Sequence, residues 1–138
     1  MGLRRVITIC TLCLGLMGCS GPPDDDDIAA AVQVATEEAL RYQQKMLVGA
    51  NASDEDRRRQ LKMMGMPAGD HIEVSDVTIS LTRALENGDY EMISTMTVTI
   101  DERVKDQVLR LIMRSDEEGD WRILSAYDIR PGPARAAR

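Results

Sequence analysis

Asn87-Gly88-Asp89-Tyr90-Glu91-Met92-Ile93-Ser94-Thr95-Met96-Thr97-Val98-Thr99-Ile100 is the stretch that decides the fold. It opens on Asn-Gly, the strongest short hairpin signal, because both residues accept the positive φ that a tight turn needs. Strict alternation follows. Tyr90, Met92, Met96, Val98 and Ile100 share one parity, and Glu91, Thr95, Thr97 and Thr99 the other, with Ile93 as the apolar exception. Period two with a threonine-rich outer face predicts a half-buried strand in an antiparallel sheet.

Upstream, Ile72 and Val74 share one parity while Val77, Ile79 and Leu81 share the other, so the phase slips near Ser75-Asp76 and predicts a bulge or bend. Downstream, Asp101 to Lys105 reads as a turn or short loop. Residues 104–114 fit either a helix (Val104, Val108, Leu111, Ile112) or a strand. The alternation of Leu109, Leu111 and Met113 against Arg110 and Arg114 favours a strand from Asp106 to Arg114. Glu118-Gly119-Asp120 supplies the next turn. Trp121, Ile123, Tyr127 and Ile129 then define one face of a last strand, with Arg122 and Asp128 opposite.

The chain before the sheet has a different period. Val32, Ala35, Ala39, Tyr42 and Met46 recur at helical spacing from Ile28 to about Val48, with Glu37, Glu38, Arg41 and Lys45 on the other face. Gly49-Ala50-Asn51 ends that helix. Ser53 reads as the N-cap of a shorter second helix, with Asp54, Glu55 and Asp56 in its first turn and Arg57-Arg58-Arg59 pairing locally with them. Gly65 and Pro67 stop it.

The N-terminus reads as an export leader. Arg4 and Arg5 precede an uncharged run from Val6 to Met17, too short to span a bilayer core of roughly 20 apolar residues. Its ending, Leu16-Met17-Gly18-Cys19, resembles a bacterial lipobox. The resemblance implies that residues 1–18 are removed and that Cys19 becomes a diacylated N-terminus held in a lipid bilayer. Ser20, where an Asp would favour the inner membrane, resembles the outer-membrane case. The expected address is the periplasmic face of the outer membrane of a Gram-negative bacterium. Residues 19–27 would form an acidic tether, 28–130 one domain, and 131–138 a basic disordered tail.

Composition limits the chemistry. After Cys19 there is no cysteine, so neither a disulfide nor a thiolate site is available to the domain. The processed chain would hold 15 basic and 23 acidic residues, a net charge of about −8, which disfavours nucleic acid. Asp24 to Asp27 lack the alternation, Gly and terminal Glu of a calcium loop and fit a helix start instead. No cofactor is implied. The core, without Phe, must be built from Ile, Leu, Val, Met and Ala.

The order of long helix, short helix and four antiparallel strands, closed by Gly119-Asp120-Trp121-Arg122-Ile123, resembles the NTF2-like (cystatin-like α+β) superfamily over residues 28–129, especially small lipid-anchored bacterial members. That resemblance implies an α+β fold in which a curved sheet wraps the long helix as a cone with an apolar pocket. Enzymatic members carry an Asp/His or Asp/Tyr constellation in the cone. Asp70-His71 is the sole Asp-His pair here, with no second histidine beside it, so the expectation is no enzyme.

Three uses of such a domain are then open. The first is a non-catalytic module that binds an envelope protein, or a second copy, through the cone mouth or the exposed sheet positions Thr95, Thr97, Thr99, Arg110 and Arg114. The second is a carrier of a small apolar ligand, its cone lined by Val32, Ala35, Met92, Met96, Ile123 and Tyr127; in a domain this small the same side chains would otherwise fill the cone. The third is Cu(I) binding by Met63, Met64, Met66 and His71, since thioethers and imidazole suit a soft cation. The same methionines would otherwise fill space between the second helix and the sheet.

Overall fold

A computed structural model describes residues 21–129. Helix α1 spans Asp25–Val48 and helix α2 Asp54–Met63; the strands are β1 Ile72–Ala84, β2 Tyr90–Ile100, β3 Arg103–Ser115 and β4 Trp121–Asp128. The four strands form one antiparallel meander in the order β1-β2-β3-β4. Both helices precede the sheet. Helix α1 packs on the edge strands β1 and β4, and α2 packs on α1. The class is therefore α+β, two helices on an open four-stranded sheet.

The aspartate run makes the helix rather than the tether. Asp24 is the N-cap of α1, and its carboxylate and that of Asp27 accept each other's backbone N–H in a reciprocal capping box (2.9 and 3.0 Å). Asp25, Asp26 and Asp27 already lie in the first turn, where negative charge opposes the helix dipole, and Pro23 is buried. The expected tether over residues 19–27 thus ends before Pro23. Ser53 caps α2 as expected, with its hydroxyl accepting from Asp56 N–H.

The ambiguous segment is strand, and longer than expected. Asp101 makes the difference. It adopts φ +55°, a region that Asp tolerates better than most residues, and turns the chain so sharply that β3 begins at Arg103. The outer two turns are copies of each other. Leu85 N–H bonds Asp89 C=O (2.8 Å) and Gly88 N–H bonds Leu85 C=O (3.1 Å); Asp116, Gly119 and Asp120 repeat both bonds at the same distances. Gly88 and Gly119 both sit at φ +88°, so each closes a three-residue loop as its left-handed last member.

Three register shifts decide which side chains face the helices. Asp76 and Val77 together oppose Met96, with Asp76 at φ +54°, so Val74 and Val77 both reach the core despite their opposite parity. A second shift at Ser80 turns Leu81 to the outer face beside Ile93, away from Val77 and Ile79. The third skips Leu124 in β4: Met113 pairs with Ile123 but Leu111 pairs with Ala126. Paired residues share a face, so Tyr127 stands with Arg110 on the outer side. The expected common face of Trp121, Ile123 and Tyr127 is broken there, and Asp128, paired with Leu109, has the inner parity.

The core sits between α1 and the middle strands. Met92, Met96, Leu111 and Met113 are fully buried and meet Ile28, Ala31 and Val32. The helical stripe expected through Ala39, Tyr42 and Met46 is out of phase. The buried positions are Ile28, Ala31, Val32, Leu40 and Gln44, and Tyr42 is 68% exposed. Past Ala35 the helix leaves the sheet centre, and its Leu40–Gln44 side faces the 67–69 loop instead. Gln44 Nε2 donates to the carbonyls of Ala68 (2.8 Å) and Pro67 (3.4 Å), which accounts for a polar side chain in a buried row.

Candidate functional site

The lipobox and Cys19 lie outside the described residues, as does the 131–138 tail. The remaining sites expected from the sequence can each be placed. Asp70 and His71, adjacent in the chain, turn to different partners. Asp70 takes a two-point ion pair from Arg58 (2.8 and 2.7 Å), and His71 Nε2 meets Glu73 Oε2 at 3.3 Å. Each is exposed, so the pair is not the buried, mutually oriented dyad that proton transfer would use.

Met63 ends α2 and is 81% exposed; Met64 is its C-cap and is also exposed; Met66 is half-buried in the following loop. These side chains therefore do not fill a gap between α2 and the sheet, with Met66 a partial exception. The His71 ring has Glu73 as its side-chain hydrogen-bond partner. Among the described residues no three His, Cys, Asp or Glu side chains gather as a metal cluster.

The six residues expected to line a cone pocket are not brought together. Val32, Met92 and Met96 are buried in the filled core. Ala35 and Ile123 line a groove of about 460 Å³ at the start of α1, walled by Trp121 and rimmed by Asp27, Glu38, Asp116 and Asp120. Tyr127 is on the opposite side of the sheet, 62% exposed. Trp121 is held edge-on to Tyr90, with centroids 5.8 Å apart and rings at 76°.

A second groove, about 360 Å³, opens between the latter half of α1, the start of α2 and the 68–72 segment. Its walls carry Glu37, Arg41, Lys45 and Arg57, and its floor Leu40, Ala68, Gly69 and Ile72.

No helix or strand of the described residues covers the outer face of the sheet. One cross-strand row runs Leu81, Ile93, Arg110, Tyr127 from β1 to β4. The row on one side brings Thr78, Thr95 and Val108, and the row on the other brings Arg83, Glu91 and Ile112. Leu81, Tyr127, Leu124 and Ile129 are all substantially exposed. Thr95 and Arg110 are on this face as expected, whereas Arg114 is committed to Asp89. Its guanidinium forks onto that carboxylate (2.8 and 3.0 Å), which Asn87 also holds. The fork, resisted by burial, keeps Asp89 below the ordinary aspartate value. The row's apolar ends were hidden from the sequence because two of its members, Leu81 and Tyr127, reach it only through bulges.

No family model, curated protein or solved structure matches this chain.

Proposed function

We propose that the chain is a non-catalytic interaction module, anchored by an acylated Cys19 to the periplasmic face of the outer membrane, which receives an envelope protein on the outer face of its sheet. The row Leu81–Ile93–Arg110–Tyr127 carries the reading. It sets three apolar side chains and one cation in line across all four strands, on a face covered by no element of the described chain. Arg and Tyr are among the residues that dominate interface energetics. Contiguous apolar surface left uncovered marks interaction sites, and here exposed Leu81 and Tyr127 flank half-buried Ile93 and exposed Arg110.

The order of elements and its resemblance to the NTF2-like superfamily support the same use, since that architecture leaves one sheet face free. The filled core favours a surface over a carrier. Anchoring supports it too, because holding the domain at one membrane raises its effective concentration toward partners on that membrane.

Ile93→Asp places a charge inside the strip and Tyr127→Asp one at its β4 end, both away from the helix-facing core. Each is expected to lower the yield of a cross-linked envelope complex about ten-fold or more while leaving the melting temperature nearly unchanged. Undiminished complexes from both variants would remove the sheet face from the proposal. Complexes containing a second copy of the chain would make the partner this protein itself.

A further inference from the structure

We propose that the groove between α1 and the 68–72 segment binds a singly charged oxyanion carried on a short apolar stem. The charges there are arranged at a cost to the free protein. Arg41 and Lys45 stand one turn apart on α1, a spacing at which like charges destabilise a helix. Glu37, one turn before Arg41, is its natural partner, yet its carboxylate accepts from Gln33 instead (3.5 Å). The arginines of α2 are all paired, Arg57 with Asp54, Arg58 with Asp70 and Arg59 with Glu55. Arg41 and Lys45 make no side-chain hydrogen bond or ion pair with any described residue.

Arg57 faces them from α2. Its terminal nitrogens are taken by Asp54 Oδ1 and Ala52 C=O, and its Nε is buried without a partner. With Arg57 balanced by Asp54, the groove presents two cations against the single carboxylate of Glu37, within a chain of net charge −6. That balance fits one negative charge.

The floor explains the stem. Leu40 and Ile72 are apolar, and the loop is drawn onto α1 so closely that a Cβ on Gly69 would lie 2.3 Å from Leu40 Cδ2. Gln44 fixes the loop there through Ala68 C=O and Pro67 C=O. The floor of the groove is thus fixed by the fold, and the groove's size lies at the small end of ligand sites, which run from about 300 Å³ upward. A carboxylate on a short alkyl chain and the phosphodiester of a membrane lipid share this chemistry.

Octanoate and octanol separate charge from stem, and vesicles of phosphatidylglycerol beside phosphatidylcholine report the lipid source. The full chain is titrated by NMR with the first pair and floated with the second. A free amphiphile predicts saturable shifts at Leu40, Gln44 and Gly69 with octanoate and not with octanol. A lipid headgroup predicts extra binding to phosphatidylglycerol vesicles. Either effect should weaken about ten-fold or more in Arg41→Gln/Lys45→Gln, since each charge-assisted hydrogen bond lost is worth that much. Both positions are exposed, and a melting temperature that is not lowered confirms the fold of the variant. Equal response to octanoate and octanol, equal binding to both vesicles with no octanoate response, or an undiminished effect in the double variant overturns the proposal.

Discussion

Asp101 does more for the fold than its place in a two-residue turn implied. Its carboxylate accepts N–H bonds from Gly69 (3.0 Å) and His71 (3.1 Å), its own N–H bonds His71 C=O (2.7 Å), and its φ is +55°. It ties the loop after α2 to the β2–β3 hairpin. Those backbone donors, Gly69 first, hold its carboxyl below the ordinary 3.8 against the opposing effect of partial burial. The unfolded chain therefore takes up the proton more readily. The stabilisation is complete above pH 3.8 and is lost as the pH falls below it. Asp101→Gly keeps the turn and loses the acceptor; Asp101→Ala loses both. In urea unfolding at neutral pH, Ala is expected to cost about 2–4 kcal/mol and Gly about 1 kcal/mol less. Both variants should show a shallower loss of stability on acidification. Asp89 obeys the same sign but through a side chain: the residue is 3% exposed and its carboxylate depends on Arg114. Arg114→Leu alone should destabilise more than Asp89→Asn/Arg114→Leu, because the single change strands a covered carboxylate. Neither aspartate was legible as a structural residue, since a lone Asp beside a turn carries no mark of what it will bond.

The elements themselves were legible to the extent that their signals are local. Caps, turn glycines and period-two runs placed both helices and all four strands, and the phase slip at Ser75-Asp76 located a real bulge. What local signals lacked was the second and third bulges. Ser80 and Leu124 interrupt their strands without a Gly or a left-handed residue, so simple alternation puts Leu81 and Tyr127 on the inner face whereas both stand on the outer one. The long helix failed in phase for another reason. Its stripe is set by two different neighbours, the sheet under Ile28 to Val32 and the 67–69 loop beside Leu40 and Gln44, and one straight period cannot describe both. The glycines grade this reading. Gly88→Ala meets open space and carries only the strain of φ +88°, about 1–2 kcal/mol. Gly69→Ala adds a 2.3 Å approach to Leu40 Cδ2. Thermal melts should rank Gly69→Ala as the more harmful, and Leu40→Ala in the same chain should recover part of the Gly69→Ala increment.

At the scale of the whole molecule, a chain without Phe fills its interior with methionine. Met92, Met96 and Met113 are all fully buried around Leu111, and their unbranched side chains fit the space under α1 that bulged strands leave irregular. Met96→Ala is expected to cost about 2–5 kcal/mol in chemical unfolding. Three of the six residues named for a cone pocket, Val32, Met92 and Met96, are part of that filled interior. Anchoring belongs to this scale as well. Cys19→Ala should move a folded domain from the membrane to the soluble fraction, and retention in the membrane would refute the lipidated anchor. The central claim is that the outer sheet face meets a partner while the domain is tethered. Its most direct test is a photo-crosslinking side chain placed at Tyr127 in one variant and at Tyr42 in another, in intact cells. Tyr42 is as exposed as Tyr127 but stands on α1. The account predicts a discrete membrane-fraction adduct from position 127 and none from 42. Adducts from 42 alone, or from neither position, would contradict it.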